Sequence, residues 1–108
     1  MRICLVGPLP DIAKVDASLF DGEAARLREF GFTVINPAEI DPDGTKSWRD
    51  RMRAHIEQIV TCDAVALLPG WERCRAAPLM HHIAATLNLW IFTVDELVDM
   101  QRKTAACS

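Results

Sequence analysis

Apolar residues in this chain fall into two alternating arrangements: short unbroken runs, and longer stretches in which they recur every three or four positions. The runs are Arg2–Val6 (RICLV), Phe32–Ile35, Ala64–Leu68 and Leu89–Thr93 (LWIFT). An unbroken apolar run of this length predicts a strand covered on both faces, the usual situation in a parallel sheet. Each of the first three ends in turn residues: Gly7-Pro8-Leu9-Pro10, Asn36-Pro37 and Pro69-Gly70. Between the runs the spacing becomes helical. Leu19, Phe20, Ala24, Leu27 and Phe30 predict a helix over Ser18–Phe30 that Gly31 closes. Trp48, Met52, Ile56, Ile59 and Val60 form the stripe of a second helix, with Ser47 as its N-cap and Asp50 where a capping box wants its acid. A third helix is expected from Ala77 to Leu87, with Pro78 tolerated in its first turn. A fourth covers Asp95–Lys103 ahead of a polar tail.

Strands that alternate with helices in this way predict an α/β fold: a doubly wound parallel sheet of about four strands with right-handed crossovers. The 108 residues suit one domain over 1–108, without internal repeats. Ligands of such sheets bind outside the carboxyl ends of the strands. The turns Gly7–Pro10, Asn36–Glu39 and Pro69–Arg75 all belong to that edge.

Composition narrows the partners. A net charge of −3 and a pI near 5.5 give no electrostatic reason to expect DNA or RNA, so a small molecule or a protein is the expected partner. With half of its residues hydrophobic the chain can build a real but thin core, which dimerisation would help. The apolar start is too short for a signal peptide and no stretch could span a bilayer, so a soluble cytoplasmic protein is expected. Cys4, Cys62, Cys74 and Cys107 show no C-x-x-C spacing. Free thiols are expected, Cys4 and Cys62 as small core residues and Cys107 in a frayed tail.

The turns carry the candidate chemistry. Gly7-Pro8 either lets backbone approach a ligand or makes an ordinary tight turn. There is no G-x-G-x-x-G and no G-x-x-x-x-G-K-[ST], which disfavours a dinucleotide cofactor or a P-loop, and no cofactor is expected. Asn36 is placed to bond the neighbouring loop or a ligand hydroxyl. The loop Pro69–Arg75 sets Trp71, Arg73, Cys74 and Arg75 just before a helix. An indole suits a base or sugar, and arginines with helix amides suit a phosphate. The alternative is that Trp71 packs on the next helix while both arginines are solvated. His55, His81 and His82 lack metal-ligand spacing, and no metal site is expected.

Taken together, LVGPLP, EAARLREFGFTVINPAE, the start Ser47-Trp48 with Met52-Arg53, CDAVALLPGWERCRAA and the LNLWIF end resemble the nucleoside 2-deoxyribosyltransferase-like superfamily. The likeness is to its short uncharacterised branch of phages and bacteria and covers nearly the whole chain. It implies a flavodoxin-like sheet, a nucleoside or nucleoside monophosphate ligand, and a homodimer in which one subunit completes the other's pocket. Enzymes of this group break the N-glycosidic bond with a nucleophilic glutamate and a proton-handling aspartate, the chemistry of a retaining glycosidase. Ungapped alignment places Met80 at the nucleophile, His55 at the aspartate, Ala76 at a glycine, His82 at a second acid and Cys74 at a phosphate-binding serine. A thioether neither attacks an anomeric carbon as a carboxylate does nor balances an oxocarbenium charge. The expectation is a nucleotide- or nucleoside-binding protein without the usual catalytic pair, its pocket walled by Gly7, Pro8, Asn36, Trp71, Arg73, Cys74 and Arg75. The alternatives are an active N-glycosidase or deoxyribosyltransferase using Glu39, Glu72 or Asp95, and a small protein-interaction module.

Overall fold

The computed structural model describes residues 1–7, 17–40 and 45–107. In chain order the elements are β1 (Arg2–Val6), α1 (Ala17–Glu29), β2 (Thr33–Ile35), α2 (Trp48–Ile59), β3 (Ala64–Leu67), α3 (Ala76–Thr86), β4 (Trp90–Thr93) and α4 (Val94–Cys107). The four strands pair in the order β2-β1-β3-β4, every neighbour parallel. Four helices flank this sheet, giving the flavodoxin-like doubly wound arrangement that the alternating pattern predicts. Among the described residues no helix is long and apolar enough to cross a membrane.

Local chemistry explains where most helices begin and end. Ser47 accepts a hydrogen bond from the Asp50 amide at 3.1 Å, the N-cap of α2. Gly31 follows α1 with φ of +91°, the left-handed conformation in which glycine carries no Cβ penalty. At the end of α3, Asn88 takes that role with φ of +58°, and the Leu89 amide donates to the Ala84 carbonyl at 2.9 Å. At the start of α4, Glu96 accepts from the Thr93 amide at 3.0 Å while Thr93 Oγ1 accepts from the Glu96 amide at 3.1 Å. This reciprocal capping box starts α4 at Val94, one residue earlier than its apolar spacing suggests, and the helix runs on to Cys107 through the expected polar tail.

The core lies on both faces of β1 and β3. Ile3, Cys4, Leu5 and Val6 are wholly buried, as are Ala64, Val65 and Ala66 opposite them. The edges are different: β4 leaves Trp90 64% exposed, its ring stacked beside Phe92. Helix α3 packs on β1 and β3 through Ala76, Ala77, Met80 and Ala84, small side chains apart from the one methionine. The stripe of α2 departs from expectation. Met52 and Ile59 face the sheet, but the position between them is His55, also buried, while Val60 turns to solvent at the helix end.

Gly7, directly after β1, packs tightly into this core. A Cβ there would lie 2.9 Å from Leu68 Cβ and 3.2 Å from the Phe20 ring. The glycine is therefore required by protein packing between β1, β3 and α1. We expect Gly7→Ala to destabilise the fold by about 1–3 kcal/mol through overpacking, read as a lower urea midpoint with an unchanged slope.

Candidate functional site

The carboxyl ends of β3 and β4 open into a cleft of about 290 Å³ between α1 and α4. Its apolar floor is Leu67, Leu68 and Val94, with Leu19 from α1, which explains why that leucine stays 43% exposed. The chain leaves β3 through Pro69 and Gly70, whose φ of +86° turns it into a 3-10 turn over Trp71–Arg73. The turn is held by hydrogen bonds that the Trp71 amide donates to the Leu68 carbonyl (3.3 Å) and the Arg73 amide to the Gly70 carbonyl (3.2 Å). Trp71 is thereby fixed in the cleft wall. Its ring stacks on His81 of α3, centroids 4.7 Å apart and planes 19° from parallel.

Acidic groups dominate the rim. Glu23, Glu72 and Asp95 line the cleft, and Arg26 bonds Asp95 at 3.0 Å and approaches Glu23 at 3.8 Å. Glu72 and Asp95 are among the carboxylates that sequence reasoning places near this edge. Glu39 is elsewhere, paired with Arg28 at 2.8 Å beyond β2. Glu23 was legible only through its position four residues after Leu19, on one helical face.

The remaining predicted residues disperse. Pro8 lies outside the described residues. Asn36 is buried and structural: its Oδ1 accepts from the Ala38 amide at 3.0 Å and its amide donates to Asp21 at 2.7 Å. It caps the 3-10 turn Pro37–Glu39 after β2, with β1 between it and the strand that leads to Trp71. Arg73 is exposed and Cys74 is a half-buried free thiol. Arg75 does not reach the cleft wall; its guanidinium sits 3.7 Å above the Trp48 ring at the start of α2. The residues expected to form one pocket thus divide, and among the described ones Trp71 alone lines the cleft.

Met80 and His55, the positions aligned with the catalytic pair, are both internal. Met80 is wholly buried in α3. His55 is 2% exposed, with Nε2 3.5 Å from Cys4 Sγ and Nδ1 without a hydrogen-bond partner. Burial pushes the imidazole down to about 4, and the Leu5 backbone offsets only part of this. Among the described residues no group of three or more His, Cys, Asp or Glu is placed to hold a metal ion.

A family model described as a domain of unknown function, DUF4406, matches residues 1–93. The chain belongs to the DUF4406 family. No curated protein and no solved structure matches it. The DUF4406 match takes in all four strands and the Trp71 turn and stops at the last residue of β4, so Val94 and Asp95 of the cleft stand just beyond it.

The neutral His55 makes this DUF4406 domain sensitive to mild acid. Its folded pKa lies below the unfolded value of 6.5, so its contribution is fully present above that value and is lost as pH falls toward 4. Urea unfolding should show a loss of about 2 kcal/mol between pH 7 and pH 5, and His55→Gln should flatten that part of the profile.

Proposed function

We propose that this domain binds a nucleoside-like small molecule in the cleft at the carboxyl ends of β3 and β4. The observation that carries the reading is the pairing, in one cleft, of a fixed indole with several carboxylates over an apolar floor. The indole suits a base, and carboxylates accept hydrogen bonds from sugar hydroxyls. The resemblance to the nucleoside 2-deoxyribosyltransferase-like superfamily supports the same ligand class. The acidic rim favours the nucleoside over its monophosphate, because a phosphate beside Glu23, Glu72 and Asp95 meets like charge, and Arg75 is engaged over Trp48.

Titration calorimetry of purine and pyrimidine nucleosides against their monophosphates tests this. Nucleosides should bind more tightly than monophosphates, and Trp71→Ala should weaken binding about 10-fold, as loss of one stacked base does. Absence of nucleoside binding at millimolar concentration, or unchanged affinity in Trp71→Ala, would reject it.

The shared position of Glu23 and Glu72 supports a second reading, N-glycosidic cleavage with carboxylates moved away from the usual positions. Chromatography of nucleosides incubated with the protein would then show free base. Glu72→Gln should abolish that release while leaving nucleoside binding measurable; a rate unaltered by the substitution removes Glu72 from the chemistry.

A further inference from the structure

The cleft at the ends of β3 and β4 carries more negative than positive charge. Glu23, Glu72 and Asp95 line it, and among the described residues no lysine, arginine or histidine does. Arg26 serves two of these acids from beside the cleft, reaching Asp95 at 3.0 Å and Glu23 at 3.8 Å. Glu72 is exposed, and among the described residues its carboxylate meets no cation or hydrogen-bond donor. Its neighbour Arg73 is exposed and forms no part of the lining, and Arg75 lies over Trp48 at 3.7 Å. Helix α4 begins at the cleft, but Asp95 and Glu96 in its first turn offset the positive end of its dipole.

We propose, on the footing that this cleft is a nucleoside site, that its preferred ligand is a nucleoside whose base carries a positive charge, such as a ring-methylated cytosine or adenine. An indole face attracts a cation through the ring quadrupole, more strongly where water is kept away. Trp71 has one face on His81 and also lines the cleft, so a bound base stacks on the opposite face.

The floor and the rim act in the same direction. Leu67, Leu68 and Val94 exclude water from one side of the ligand, which lowers the effective dielectric and strengthens the pull of the carboxylates. Three carboxylates against one guanidinium leave a negative surplus that a cationic base answers and a neutral base does not. A volume of about 290 Å³ is near the lower end of small-molecule sites, so it suits a single nucleoside and not a dinucleotide.

Calorimetry with 3-methylcytidine and 3-methyluridine tests the proposal. The two share shape and methyl group, but near neutral pH the first is a cation and the second is neutral. 3-Methylcytidine should bind about 10-fold more tightly in low salt. The ratio should fall toward unity in about 0.5 M sodium chloride, because screening weakens attraction at an open rim. Glu72→Gln, a change at an exposed side chain, should cut the low-salt ratio about 3-fold. Equal affinities, or a ratio that either high salt or Glu72→Gln leaves unchanged, overturn the charge preference and leave the nucleoside site standing. Binding of unmethylated cytidine alone does the same. If none of the three compounds binds at millimolar concentration, the nucleoside site falls together with the preference.

Discussion

Cys4, Leu5 and Val6 are wholly buried, and each pairs across the ladder with a buried residue of β3, so neither strand can shift register without exposing apolar surface on both sides of the sheet. The ladder ends where Gly7 meets Leu68 and Phe20 with no space for a side chain. That contact joins the exits of β1 and β3 to α1. It sets the depth at which the chain leaves the sheet, and with it the floor of the cleft.

From this fixed floor the site is assembled by short-range devices. Gly70 turns the chain, the 3-10 turn seats Trp71, and His81 supports the ring from α3. The capping box of Thr93 and Glu96 starts α4 against the same opening and carries Asp95 to the rim. Arg26 of α1 then ties that rim across to α4. Rigid backbone supplies the position of each group, and the exposed side chains supply the polarity.

The four strands were legible because each is a short apolar run; burial on both faces holds for β1 and β3, whereas the edge strands β2 and β4 stay partly exposed despite the same pattern. The face of α2 was less so. Hydropathy ranks Val60 above His55, yet the helix ends before Val60 can turn inward and His55 points at Cys4. The Trp71 turn was correctly placed at the strand edge, but its arginines were grouped with it by sequence proximity alone. Arg75 follows the course of α3 toward Trp48 instead, a cation–π contact between residues that no local spacing connects. Glu23 reads in sequence as one more charge on a solvated helix face, and its place at the cleft depends on α1 lying beside α4.

The alanines that let α3 lie close to the sheet have a consequence for how this domain can diverge. Ala76, Ala77 and Ala84 are all buried where α3 lies on the sheet. Enlarging any one of them would require a matching reduction opposite it, so change along this seam has to come in compensating pairs. Glu72 and Arg73, exposed on the segment that enters the same helix, face no such restriction. The backbone that carries the cleft wall is thus held still by residues that resist drift, while the exposed side chains along it are free to vary.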